Sequence, residues 1–263
     1  MRTKIAVGIV LAVLGQTGLA SAQEDPQTDG LVQLAGRRIE QFWNEYSQVT
    51  STEDLRQVKL TPEGERVAES RSVFDYLMVM EISGNRPRFE ESRIQRTASP
   101  DSGATMLTTS GFPALLLILH PYFHESFVFT RREEAIAGSI RQIDFQAVPG
   151  RDSPSVLRLG GRQYPILWRG TIWVEETTGM VTRIEAHLGE SMADLGLESM
   201  DAETNYHTVT MEPEGPEYWL PESATIEVRS EHQRWRNEHK FTDYRMFSVE
   251  SELEIPDLDG KNQ

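Results

Sequence analysis

Two histidines four residues apart, His120 and His124, close the apolar stretch in "TSGFPALLLILHPYFHESFVFTRRE", residues 109–133. On an unbroken helix that spacing puts both imidazoles on one face, where they could share a metal ion. Pro121 directly follows His120 and disfavours helical geometry there. If the chain is extended instead, four steps of strand separate the two rings by ~13 Å. Glu125 is also out of place for the H-E-x-x-H order of zinc proteases. The spacing therefore predicts structural histidines, with no metal and no other cofactor.

Ser191 in "GESMA", residues 189–193, imitates the nucleophile elbow of a serine hydrolase, and Asp201 with His207 or His239 would complete a Ser-Asp-His order. An elbow needs a parallel α/β sheet around it, and Ala193 stands where the motif has Gly. A hydrolase at Ser191 is thus the weakest of the functional alternatives, and the expectation is a non-enzyme. The carboxylate pairs Glu133-Glu134 and Glu175-Glu176 are adjacent residues, which on a strand point to opposite faces and do not cooperate as acid and base. "DLDGKNQ" begins like a calcium loop but lacks the closing Glu. "LGG" at 159–161 has no phosphate-loop Lys.

The elements that would position these groups are mostly strands. "DGLVQLAGRRIEQFWNEYSQV" has a helical period through Leu31, Leu34, Ala35, Ile39, Phe42, Trp43, Tyr46 and Val49, with Asp29 placed to cap. After it, "RSVFDYLMVMEI" alternates, with Phe74, Tyr76, Met78, Met80 and Ile82 on one dry face. Strands follow in "RFEESRIQR", "SFVFTR", "SIRQIDFQAV", "QYPILWRG", "TIWVEE", "MVTRIEAHL", "NYHTVTME", "SATIEVRSE" and "EHKFTDYRMFSVESEL". "MADLGLESM" reads as a short helix. "TIWVEETTGMVTRIEAHL" is a hairpin with Thr178-Gly179 at its tip. No βα alternation supports a parallel sheet. The expected fold is mainly β with few helices: a curled antiparallel half-barrel of roughly ten strands behind an N-terminal helix.

A curled sheet has an inner face that something must fill. "FPALLLILH" is apolar on every side, so it should lie buried as a short helix plugging the concave face, stopped by Pro121. It is too short to span a bilayer, which takes ~20 apolar residues. Phe74, Tyr76, Met78, Met80, Leu115, Leu117, Leu119, Phe127, Phe129 and Trp168 are the candidate ligand-lining residues, with Trp173 as a further aromatic. The same side chains suit an ordinary core equally well.

The N-terminus predicts compartment. Arg2 and Lys4, the apolar run Ile5–Leu14 and Ala20-Ser21-Ala22 describe a secretory signal peptide over residues 1–22. A polar lead at 23–30, one domain at 31–255 and a flexible tail at 256–263 would follow. Removing Arg2 and Lys4 takes the formal charge from −15 to about −17. That surface is ill suited to nucleic acid or to anionic membranes. The chain has no Cys, hence no disulfide, and no acylation site for a lipid anchor. An exported, soluble, monomeric protein is expected, in the periplasm or outside the cell.

The order of elements resembles the LolA/LolB-like periplasmic lipoprotein-carrier superfamily. The resemblance rests on the helix "LVQLAGRRIEQFWNEY", the strands "RSVFDYLMVM" and "RFEESRIQR", the plug "FPALLLILHPYF", the hairpin "RGTIWVEETTGMVTRIEA", and the late "YWLPESATIEVR" and "HKFTDYRMFSV". It covers roughly residues 30–250, and no single ligand-handling residue of the family is matched. It implies an open half-barrel closed by helices, and carriage of a lipid, an acyl chain or an acylated protein without catalysis. The alternative is a ligand-free interaction module of the envelope with a transient protein partner.

Overall fold

The computed structural model describes residues 26–45, 48–98, 112–132, 138–159, 162–211, 213–215 and 217–246. The expected signal peptide, residues 23–25, Tyr46, the Glu133-Glu134 pair, Gly160-Gly161 and the tail with "DLDGKNQ" lie outside them. Helix α1 is Pro26–Glu45, so it starts before Asp29, the expected cap, and takes in the second half of the expected polar lead. Proline suits the first turn of a helix, where its missing N–H leaves nothing unpaired. Leu31, Val32, Ala35, Ile39, Phe42 and Trp43 form its buried stripe. Val49, the last position of the expected helical period, belongs to a strand instead.

That strand, β1 (Gln48–Leu60), was not foreseen: its inward positions include Ser51 and Glu53, which hide the alternation. β2 (Arg66–Ser83) and β3 (Arg86–Ala98) follow as a long hairpin. Then come β4 (Phe127–Arg131) and β5 (Ile140–Ala147), and a separate small hairpin of β6 (Val156–Leu159) and β7 (Arg162–Pro165). The expected strand "QYPILWRG", residues 163–170, is thus split between β7 and β8 (Trp168–Glu175). β9 (Val181–Leu188), β10 (Ser199–Thr210), β11 (Glu217–Arg229) and β12 (Arg234–Met246) complete the set. "MADLGLESM" holds only a 3₁₀ turn, Ala193–Leu195, before β10 begins.

Ten strands make one sheet in the order β3-β2-β1-β12-β11-β10-β9-β8-β5-β4, every neighbouring pair antiparallel. β3 and β4 are its two free edges, so the sheet is a curled half-barrel and not a closed one. A bulge where β12 meets β1, with Asp243 at φ 56°, lets Phe241 and Tyr244, three apart, both pack on the core. The outward positions carry crossed ion pairs such as Arg71–Asp54, Arg56–Glu69 and Arg236–Glu227. No helix among the described residues is long and apolar enough to cross a membrane.

Because β3 and β4 are consecutive strands at opposite edges, the chain between them must cross the sheet, and the apolar block lies on that crossing. It is not the expected α-helix. Pro113–Leu119 is a 3₁₀ segment, all seven residues buried; His120 is extended; Pro121–Ser126 is a second 3₁₀ segment. Prolines at the start of both, with no N–H to give, favour short tight turns over a continuous α-helix. Helix α1 lies against this plug. A Cβ on Gly36 would stand 2.7 Å from the Leu119 carbonyl oxygen and 3.1 Å from His124 Nε2. The tip of the β8–β9 hairpin reaches the same helix, where Gly179 at φ 73° sits against Leu34 and Arg38 donates to the Thr178 carbonyl at 3.3 Å.

Gly36 is therefore the contact that lets helix and plug meet. Gly36→Ala should destabilise the protein by roughly 1–3 kcal/mol through overpacking. Gly30→Ala, in the same helix with nothing within 4 Å, should stabilise it by up to about 1 kcal/mol. Urea denaturation of both variants checks the contrast; equal effects would mean that the plug does not press on α1.

Candidate functional site

The concave face divides into two chemistries. Under the β9, β8, β5 and β4 side it is apolar, with Ile172, Val174, Ile184, Ile143, Phe145 and Phe127 buried. Under β3, β2, β1 and β12 it carries a buried polar belt. Glu53 is fully buried, and Arg93 grips it with two hydrogen bonds at 2.5 and 2.9 Å. His239 Nδ1 lies 2.7 Å from Glu53 Oε1. Arg93 also holds Glu91 at 2.7 Å, which in turn accepts from the Tyr76 hydroxyl at 2.6 Å, and the guanidinium lies 4.9 Å above the Tyr76 ring.

Burial opposes ionisation of Glu53, but hydrogen bonds from His239 and Arg93 outweigh it and hold the carboxyl below its ordinary range. Burial keeps His239 neutral by lowering its pKa, against the pull of Glu53. Neutral His239 therefore donates Nδ1–H to an ionised Glu53. The plug seals the belt: the Phe112 ring sits 4.4 Å from that of His239, and Tyr206 donates to the Phe112 carbonyl at 3.5 Å.

The second feature is an apolar cleft at the other side of the plug. Ile39 and Phe42 of α1, Leu116 of the plug, Met180 and Val181 from the start of β9, and Tyr218 and Trp219 of β11 line it. It has about 500 Å³ of empty space, open solvent at the mouth included, and its inner part is narrow. Phe42 and Tyr218 pack with ring centroids 5.1 Å apart. A polar string runs along the exposed side of α1 at its rim: Arg38 donates to Gln41 at 3.5 Å, Gln41 to Glu45 at 2.8 Å, and the Tyr218 hydroxyl closes onto the other Glu45 oxygen. The Tyr218 and Gln41 hydrogen bonds hold the Glu45 carboxyl below its ordinary range. Arg38 and Glu217 complete the mouth.

The residues singled out from the sequence go mainly to the core. Tyr76, Met78, Met80, Leu115, Leu117, Leu119, Phe127 and Trp168 are buried; Phe129 packs against them partly exposed, and Phe74 is half-buried. Ile82 does not continue the dry face, being 40% exposed. Trp173 points away, with Arg183 5.0 Å from its ring. None of the ten lines the cleft, which takes Leu116 from the alternate positions of the plug. Both Glu53 and the cleft rim escaped the sequence reading; Val49, Glu53 and Leu55 falling on alternate positions was the available signal for the first.

The imagined Ser191 triad is not assembled. Ser191 is exposed in the β9–β10 connection and donates to the Leu197 carbonyl at 3.3 Å. Asp201 engages His187 at 2.7 Å, His239 engages Glu53, and the His207 ring packs on Tyr244. Glu175 accepts from the Thr178 N–H and Glu176 pairs with Arg131 and Arg141, so both serve the hairpin and its neighbours.

His120 and His124 hold the plug together. His120 Nδ1 accepts from the Tyr122 N–H at 3.2 Å, which caps the second 3₁₀ segment, and His124 Nε2 lies 2.6 Å from the Leu119 carbonyl. With Nδ1 accepting, the His120 proton sits on Nε2, which is buried without a hydrogen-bond partner among the described residues. Burial, with a smaller contribution from His124, lowers the His120 pKa to about 4.

Removing one partner of the belt strands a buried charge. Glu53→Leu should cost about 3–5 kcal/mol in denaturant unfolding; a loss below 1 kcal/mol would mean the belt is solvated. His120 generates a pH dependence. A base depressed by folding contributes its full stability above its unfolded pKa of ~6.5 and loses it as pH falls toward the folded value. Stability should therefore drop between pH ~6.5 and about 4. His120→Asn, which keeps a capping acceptor, should shrink that drop by up to roughly 3 kcal/mol. An unchanged pH profile in the variant would remove His120 as a source.

No protein-family model matches the chain, and comparison with curated proteins gives no match. Among solved structures, the chain is similar to a crystal structure described as an outer membrane lipoprotein-sorting protein domain from Vibrio parahaemolyticus. The two share 8% identity at a TM-score of 0.40, over 86% of this chain and 95% of that one. At that distance the likeness is one of general architecture and carries nothing about the site.

Proposed function

We propose that the protein is an exported, soluble carrier that takes an apolar ligand (a lipid, an acyl chain or an acylated protein) between the sheet and the plug, without catalysis. One observation carries this reading: the apolar cleft runs from the mouth beside α1 directly onto Leu116 of the plug. The plug is the concave face's filling, and all seven residues of its first 3₁₀ segment are buried. A ligand chain entering past Phe42 and Val181 would displace Leu116 and exchange one set of apolar contacts for another. The buried His120 N–H, which has no partner among the described residues and costs ~1–3 kcal/mol when left unsatisfied, supports a plug whose closed state is not the deepest attainable.

The alternative, a ligand-free envelope module, is favoured by the depth of the plug, since all seven residues of Pro113–Leu119 are buried. Uptake of the neutral fluorophore 1-N-phenylnaphthylamine separates the two. The carrier reading expects saturable uptake by the wild type and roughly tenfold weaker uptake by Leu116→Trp, which fills the cleft while keeping the fold by circular dichroism. No uptake by the wild type, together with a protein mass free of co-purifying lipid in native mass spectrometry, would move the interaction module to first place.

A further inference from the structure

The mouth of the cleft carries two opposite charges, and neither is spent within the protein. Arg38 gives its hydrogen bonds to neutral oxygens, the Thr178 carbonyl and the Gln41 amide, and forms no ion pair among the described residues. Arg56, Arg71, Arg93 and Arg236, by contrast, each hold a carboxylate. Glu217, exposed at the start of β11, has no hydrogen-bond or ion-pair partner among the described residues, whereas nearby Glu45 is taken up by Tyr218 and Gln41. Both Arg38 and Glu217 line the same cleft as Phe42, Leu116 and Val181.

From this placement we infer that the ligand is a single-chain amphiphile with a zwitterionic head, its chain on Phe42 and Leu116 and its head spanning Arg38 and Glu217. The inference rests on the carrier reading and names the ligand class for that site. An anionic head would satisfy Arg38 but face the Glu217 carboxylate, and a cationic head would do the reverse. Only a head carrying both signs meets a complementary group on each side, and like-charge contacts are what discriminate between partners at a charged rim. One chain is favoured over two because the cleft is narrow, lying between a single helix and the ends of β9 and β11.

The test is displacement of 1-N-phenylnaphthylamine from the full chain by three dodecyl amphiphiles, each below its micelle concentration: dodecylphosphocholine, dodecanoate and dodecyltrimethylammonium. Dodecylphosphocholine should displace the probe at a concentration roughly tenfold lower than either singly charged compound. Arg38→Gln should weaken dodecylphosphocholine and dodecanoate, and Glu217→Gln should weaken dodecylphosphocholine and dodecyltrimethylammonium, both substitutions being at exposed positions. Equal displacement by all three compounds overturns the inference, as does a dodecylphosphocholine affinity that survives both substitutions. Association with phosphatidylcholine vesicles without uptake of the monomeric compound also overturns it, in favour of a membrane surface. In each of those cases the neutral probe still binds and the carrier reading stands; failure of the wild type to take up the probe or any amphiphile sinks the carrier reading itself.

Discussion

A sheet that curls without closing has an inner face that its own strands cannot cover, and the rest of this structure follows from that constraint. Closure would have let side chains from opposite strands fill the interior, as in a small barrel. Here β3 and β4 remain apart, so the filling must come from elsewhere in the chain. It comes from the segment that joins those two edges, because a connection between opposite edges has to traverse the sheet. α1 then covers the segment, and Gly36 sets how closely it does so. The half-barrel, plug and helix are one solution to a single burial problem.

The belt around Glu53 shows what that filling encloses. Two carboxylates, a guanidinium, a neutral imidazole and the Tyr76 hydroxyl lie largely buried on this face, and they link β1, β2, β3 and β12 side by side. Buried charges of this kind add little net stability, since desolvation consumes most of the Coulombic gain. What they do add is register. A slip of one residue in β1 would turn Glu53 outward and leave Arg93 inside with Glu91 alone and two of its hydrogen bonds unmade. β1, which has weak apolar patterning, is thereby pinned where hydrophobicity alone would pin it loosely.

The fold class was legible because most strands alternate and the turns are marked. "TIWVEETTGMVTRIEAHL" became β8 and β9 with Gly179 at the tip, in the left-handed conformation such a turn requires. β1 was not legible, because a strand whose inward residues include Ser51 and Glu53 has no apolar period to read. The plug was legible as a buried segment but not as 3₁₀, since composition reports burial on all sides and says little about the pitch. The cleft was less legible still. Leu115, Leu116 and Leu117 are chemically alike, and only the tertiary packing selects Leu116 to face Phe42 and Tyr218.

Stability and openness pull against each other in such an architecture, and the 3₁₀ plug reconciles them. A continuous α-helix of the same length would satisfy its own backbone and dock as a rigid body, so opening would require moving all of it. The two short segments meet at His120, whose extended backbone breaks the helical run and whose ring caps the second segment by accepting from the Tyr122 N–H. The first segment, Pro113–Leu119, is buried throughout, and apolar burial is non-directional, so another apolar chain can take its place. The polar belt cannot be replaced in that way, because its hydrogen bonds are directional and mutually satisfied. Opening in the proposed carrier should therefore begin at the Leu116 side, beside α1 and β9, while Phe112 stays seated on His239 and the belt keeps the strands in register.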